Sequence, residues 1–240
     1  MKKPKILFYD IETSPNLAYV WGKWEQNVIG FQKEWEILSF AYKFAGDKTV
    51  KCLTRADFKD KTDKSLVSKL QDIMNSADII VAHNGDQFDI KKSTARMIYH
   101  GLSPTKVLKT IDTKKVAKKY FNFNSNSLND LGQYLGLGKK VSTGGFDLWL
   151  KCMAGDKKAW KLMAKYNKQD VALLEKVYKR FLPWIHNHPN MALIKNNGQC
   201  PKCTSSNVKK DGIRANTANL QQQMKCNDCK GYYLTRYKKV

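Results

Sequence analysis

The chain predicts an α/β fold: a mixed sheet flanked by helices, followed by a second, much smaller module. Three observations carry this. Strand-like stretches crowd the first 54 residues, and helical and strand-like stretches alternate from residue 63 onward. A mixed sheet covered by helices is the layering that such an order favours. Beyond residue 183 the composition changes, and residues 200–240 hold four of the six cysteines.

Residues 4–9 (PKILFY) form a short apolar run that predicts a buried strand. Residues 13–35 read as irregular and are dense in aromatics: Tyr19, Trp21, Trp24, Phe31 and Trp35. The runs 37–44 and 48–54, joined by the turn AGDK, predict a hairpin. Leu66, Val67, Leu70, Ile73 and Met74 recur at helical spacing over 63–76. A strand is expected at 77–84, a helix over 89–100, a short strand over 106–113 and a helix over 113–120. At Ser127 the pair Ser127/Asp130 resembles a capping box, with Asp in place of Glu. A long helix is expected over 156–180. Residues 183–199 carry two prolines, several asparagines and a glycine, which predicts a linker. The expected division is therefore a 1–182 domain, a 183–199 linker and a 200–240 module.

The charge balance narrows the partner. Lys and Arg number 43 against 21 Asp and Glu, a formal net charge of +22. Neutralising phosphates releases condensed counterions, so nucleic acid is the partner such an excess favours. No basic amphipathic helix supports an anionic membrane surface instead. No apolar run reaches the roughly 20 residues that cross a bilayer, and the N-terminus lacks the apolar core of a signal peptide. The expectation is a cytoplasmic protein that does not meet a membrane. Cys52 and Cys152 lie among apolar neighbours and read as buried, reduced thiols.

Four acidic residues stand in three short motifs: Asp10 and Glu12 in FYDIET, Asp89 in HNGDQFD, and Asp170 in YNKQD, four residues after Tyr166. Strand alternation puts Asp10 and Glu12 on one face. Asp89 opens a helix, where a carboxylate is also simply favourable. Tyr166 and Asp170 share a helix face, which on its own is equally a solvated stripe. Carboxylates brought from separate segments suit hard divalent cations, and a pair of these can clamp both the attacking and leaving oxygens of a phosphodiester.

In this order the motifs resemble those of the DEDD 3′–5′ exonucleases, a DnaQ-like branch of the ribonuclease H-like fold. Tyrosine in the third motif is similar to the DEDDy subgroup, which includes polymerase proofreading domains. Asn84 through Phe88-Asp89 looks like the N-x-x-x-F-D of family-B polymerase exonucleases, and SLNDLGQYLGL like the helix that often precedes the third motif. The resemblance covers residues 4–182. It implies that Asp10, Glu12, Asp89 and Asp170 hold two Mg²⁺ or Mn²⁺ ions, which activate water and stabilise the leaving 3′ oxygen. It implies that Tyr166 orients the water, since a phenol of pKa near ~10 is a poor base at neutral pH. Asn84 and Phe88 would shape the site, Phe88 by stacking on a terminal base or as core. Thr13 would bond the terminal nucleotide or serve a turn. His83 is expected to be structural, and Asp147 is a weaker candidate for a fifth acid.

The chain shows no polymerase region, so a proofreading role would require a polymerase or replication protein on a separate chain. The aromatic insert 13–35 looks like that of small bacteriophage exonucleases. Its rings suit stacking on unpaired bases, core packing or protein docking alike.

Cys200-x-x-Cys203 and Cys226-x-x-Cys229 have the spacing of a closed, structural Cys₄ zinc site. A module of about 40 residues builds little core, so one Zn²⁺ would supply its folding energy. Lys202, Lys225, Lys230, Arg236, Lys238 and Lys239 surround the knuckles, with Tyr232, Tyr233 and Tyr237 interleaved. Charge beside flat rings suits a sequence-tolerant grip on a strand. The expected activity is a metal-dependent 3′–5′ exonuclease on single-stranded or frayed DNA ends, releasing nucleoside monophosphates. RNA exonuclease, structure-specific endonuclease and non-catalytic polymerase accessory are the alternatives.

Overall fold

The computed structural model describes residues 4–24, 27–106, 109–194, 198–215 and 217–236. Its central sheet is built from β1 (Ile6–Thr13), β4 (Ile37–Phe44), β5 (Lys51–Thr54), β6 (Ile79–Ala82) and β7 (Lys109–Asp112). Their order is β5-β4-β1-β6-β7. β1 runs antiparallel to β4 and parallel to β6, and β6 runs parallel to β7. The sheet is therefore mixed, as expected.

Alternation along β1 decides the rest. Leu7, Tyr9 and Ile11 pack on α1 (Lys64–Asn75) and α2 (Asp89–Tyr99), with Leu66, Leu70 and Met97. Ile6 and Phe8 point the other way, into a cluster with Val171, Leu174, Val177 and Tyr178 of α6 (Lys157–Phe181). Asp10 and Glu12 continue the Phe8 face, toward α6. β1 outruns the apolar segment expected at 4–9 because β4 pairs it to its end, with Asp10 opposite Ala41 and Glu12 opposite Ser39.

The remaining helices are α3 (Thr113–Tyr120), α4 (Leu128–Tyr134) and α5 (Asp147–Met153). Ser127 caps α4 by accepting from the Asp130 amide at 3.1 Å, and its hydroxyl donates to Asp130 Oδ2 at 2.8 Å. Asp156 caps α6 through the amides of Lys158 and Ala159. The insert expected to be irregular contains a hairpin, β2 (Leu17–Tyr19) with β3 (Gly30–Lys33). Its long connection lacks a short-turn signal, which hid it from sequence. Trp21 and Trp24 stand 85% and 84% exposed, so core packing falls away for these two rings.

Residues 183–194 lie along the main body: Ile185 and Met191 join the core, and buried His188 meets Tyr178 Oη at 2.8 Å. The C-terminal sheet is β8 (Val208–Ala215), β9 (Leu220–Cys226) and β10 (Tyr232–Arg236), in the order β10-β9-β8. Tyr237, Lys238 and Lys239 lie outside the described residues. Among the described residues no helix is long and apolar enough to cross a membrane.

Candidate active site

Three of the four acids come together. Asp10 and Glu12 from β1 and Asp170 from α6 each offer a carboxylate oxygen within 4.8 Å of the others. Asp89 joins from the first turn of α2, where its Oδ1 accepts the Ile11 amide at 3.0 Å. β6 pairs with β1 only as far as Phe8, so Asp89 serves an amide beyond that pairing. The carboxylate is thereby locked to the backbone link between Asp10 and Glu12.

Such a cluster cannot stay fully ionised unaided. Burial, then the charges of Asp89, Glu12 and Asp170, push the Asp10 carboxyl well above its usual range. Burial, then Asp170, pushes Glu12 up to about 8. Burial raises Asp89 to about 7, with the Ile11 amide working against it. Asp170 Oδ1 is buried without a hydrogen-bond partner among the described residues. Crowded carboxylates and an unsatisfied oxygen fit a divalent cation, whose charge relieves the repulsion.

Two residues that the sequence reading missed complete the site. Asn167 Nδ2 donates to Asp10 Oδ2 at 2.6 Å and to the Asp10 carbonyl at 3.3 Å. Its Oδ1 accepts from Ser39 Oγ at 3.1 Å. The available signal was a polar residue three before Asp170, on the same face of a helix that also buries Val171 and Leu174. Lys140 had no signal, because it sits in a loop. Its Nζ donates to Asp170 Oδ2 at 2.6 Å and to Tyr166 Oη at 3.2 Å. The loop is pinned where Lys140 N donates to Asn129 Oδ1 and Gln169 Nε2 donates to the Lys139 carbonyl. Gly132 lets the loop close in: a Cβ there would stand 2.7 Å from the Gly138 carbonyl oxygen and 2.9 Å from Leu173 Cδ1.

Tyr166 lies half-buried beside Trp149. Burial, then Glu12 and Asp170, lifts its phenol above the ordinary range, so it stays protonated at neutral pH. Asn84 takes a left-handed backbone, φ 64°, and its carbonyl accepts the amides of Gln87 and Phe88. It shapes the turn into α2, a conformation asparagine tolerates. Asp112 anchors that turn by accepting the amides of Asn84 and Lys114, both at 2.9 Å. Phe88 is 37% exposed rather than core. Thr13 ends β1 at a bulge in its pairing with β4. His83 bridges Thr113 Oγ1 and the Asn126 carbonyl, and burial lowers it to about 4. Asp147 is exposed in the first turn of α5.

The four C-terminal cysteines also converge, all Sγ atoms lying within 4.8 Å of one another. The Cys200–Cys229 and Cys203–Cys226 sulfurs are 3.7 and 3.6 Å apart. Disulfides need about 2.05 Å. Four thiolates at about 2.3 Å from one Zn²⁺ stand roughly 3.8 Å apart, which these separations match. Thr204 and Lys230 follow the two Cys-x-x-Cys turns with φ 62° and 63°. Amide-to-carbonyl bonds close the turns alike, Cys200 to Ser205 and Cys226 to Gly231. Lys202 departs from expectation. It is buried and donates to the Pro183 carbonyl at 2.7 Å, tying the module to the end of α6 instead of meeting a strand. Lys230 and Arg236 are exposed, Tyr232 is 40% exposed, and Lys225 stands over the Tyr232 ring at 5.3 Å. Tyr233 is half-buried with its hydroxyl inside.

Among solved structures the fold matches the family B DNA polymerase of the hyperthermophilic archaeon Pyrobaculum calidifontis, at a TM-score of 0.57 and 14% identity. The match covers 76% of this chain and 25% of that polymerase. Comparison with curated protein sequences finds no match. Residues 7–182 match the RNase H superfamily, a group of proteins that are generally nucleases using divalent metals, and the chain belongs to that superfamily.

Proposed function

We propose that the protein is a metal-dependent 3′–5′ exonuclease acting on single-stranded or frayed DNA ends. The observation that carries this is the convergence of Asp10, Glu12 and Asp170 within 4.8 Å, with Asp89 bonded to the backbone between the first two. These four residues would hold two Mg²⁺ or Mn²⁺ ions. Bound there, the ions supply charge that favours a water-derived nucleophile and a leaving 3′ oxygen. The chain's own groups do the positioning. Asn167 fixes the Asp10 carboxylate. Tyr166, held protonated, orients the attacking water through its hydroxyl. Lys140 offers a positive charge that can turn from Asp170 to a phosphate oxygen. Water adds to phosphorus, the bond to the 3′ oxygen breaks, and that oxygen takes a proton. The products are a nucleoside 5′-monophosphate and a strand shorter by one residue. Thr13, Asn84 and Phe88 would line the terminal nucleotide.

In the same reading residues 1–182 form the nuclease domain, 183–199 its linker, packed on that domain through Ile185 and Met191, and 200–240 a zinc ribbon. Cys200, Cys203, Cys226 and Cys229 would hold one structural Zn²⁺. Lys225, Lys230, Tyr232, Tyr233 and Arg236 would hold nucleic acid, and a separate polymerase or replication protein would be served. The test is a time course on 5′-labelled single-stranded DNA with Mg²⁺ or Mn²⁺, beside Asp10→Ala. A ladder shortening from the 3′ end, absent in the variant, is expected. Cleavage of a circular single strand would instead assign an endonuclease.

A further inference from the structure

The flank of α6 turned away from the carboxylates forms a groove of ≈ 720 Å³. Lys139, Lys161, Lys165, Lys168 and Lys176 line it, and no acidic residue does. None of these five lysines makes an ion pair among the described residues. Nearby Lys43 and Lys179, by contrast, both pair with Glu175. Five unneutralised cations around one depression repel one another, and a polyanion relieves that repulsion. Val50, Leu137 and Ala172 also line the groove, and their low polarity strengthens any lysine–phosphate attraction across it.

Along the chain the groove lies next to residues of the candidate active site. Lys139 lines it while the next residue, Lys140, reaches Asp170. Gln169 also lines it, one residue before Asp170. Lys161 to Lys176 span about 22 Å along the helix axis at 1.5 Å per residue. We propose that this groove binds the phosphate backbone of the single strand on the 5′ side of the bond being cut, without regard to base sequence. The inference rests on the exonuclease reading for its direction, but not for its charge.

The test removes charge and reads binding apart from cleavage. Lys161→Gln, Lys165→Gln and Lys168→Gln are combined, each at an exposed position. A control replaces the equally exposed Lys61, Lys64 and Lys69 with Gln. Binding of 20-nucleotide DNA and RNA strands is measured against salt in an Asp10→Ala background. The groove variant should lose a slope of about 2 in log K against log salt, at roughly 0.7 per phosphate contact, equally for DNA and RNA. The control should keep the wild-type slope. With Asp10 intact, KM for the 20-mer should rise on the order of tenfold while cleavage of a trinucleotide holds, as fits loss of remote contacts alone. An unchanged slope, or an equal loss in the control, overturns the groove. A DNA-only change overturns phosphate recognition. Wild-type protein that binds through these lysines yet cleaves nothing removes the exonuclease reading and leaves the groove standing.

Discussion

Asn167 holds Asp10 by two hydrogen bonds, one to the carboxylate at 2.6 Å and one to the main-chain carbonyl at 3.3 Å. The amide is fully buried, and Ser39 Oγ fixes its orientation from behind. A carboxylate held this way is pre-aimed, so part of the cost of organising a cation site there is met before any ion arrives. Asn167→Ala should lower metal affinity or activity about 10- to 100-fold, the usual effect of losing such a supporting group. It should also cost about 1–3 kcal/mol of stability through the orphaned Ser39 hydroxyl. Mn²⁺ titrations of activity and denaturant melts separate the two. A variant that loses stability alone would make Asn167 a packing residue.

Lys140 occupies charge space that a metal ion would share. Its ammonium sits 2.6 Å from Asp170 Oδ2 and is itself partly buried. Lys140→Met should therefore tighten Mn²⁺ binding, because a competitor for Asp170 is gone, while slowing turnover tenfold or more. The scale is that of losing one charged contact to a phosphoryl group in a water-poor site. Calorimetric Mn²⁺ binding and single-turnover cleavage report the two effects. Weaker binding with unchanged turnover would give Lys140 a purely structural place.

How much of this was legible in the sequence follows physical lines. The β1 acids were readable because strand alternation is strict, and the Cys₄ group because its chemistry fixes local spacing. Asn167 was half-legible, a polar residue on a buried helix face. Lys140 was not legible: its position depends on Gly132 allowing α4 to approach Gly138 and Leu173, a tertiary fact. Lys202 misled because charge near a knuckle reads as surface, whereas the Pro183 carbonyl draws it inside. The hairpin at 17–33 was hidden because most of its apolar residues face outward, against the pattern that marks a strand.

Stability of the metal-free protein should fall as pH rises. Glu12 has a folded pKa of about 8 against an ordinary value of 4.5, and Asp89 about 7 against 3.8. Groups raised in the folded state carry no penalty below their unfolded pKa and accumulate one as pH climbs to the folded value. The window is therefore about pH 4 to 8. His83 acts oppositely: lowered to about 4, it stabilises above its ordinary 6.5 and loses that contribution as pH falls toward 4. Melting curves of chelated protein should pass through a maximum on the acid side of neutrality. The rise in Tm on adding Mg²⁺ should grow from pH 5 to 8. A metal effect independent of pH would remove the carboxylates as its source.

Zinc should be separable from cleavage. The four clustered acids Asp10, Glu12, Asp89 and Asp170 all precede residue 171, and the four converging cysteines begin at Cys200. Cys200→Ser with Cys203→Ser removes half of the proposed tetrahedral set, so the Zn²⁺ it would hold should be lost and the three-stranded sheet should melt with it. Metal analysis reads the first change, and hydrogen exchange over 208–236 the second. Lys202 donates to Pro183 from inside the first knuckle, so the end of α6 should exchange faster too, a local effect that stops short of Asp170. Cleavage of a short oligonucleotide at saturating concentration should persist, while affinity for a long strand weakens. Loss of short-substrate cleavage in a variant whose Asp10 region keeps its exchange protection would show that the ribbon contributes directly to the catalytic cleft.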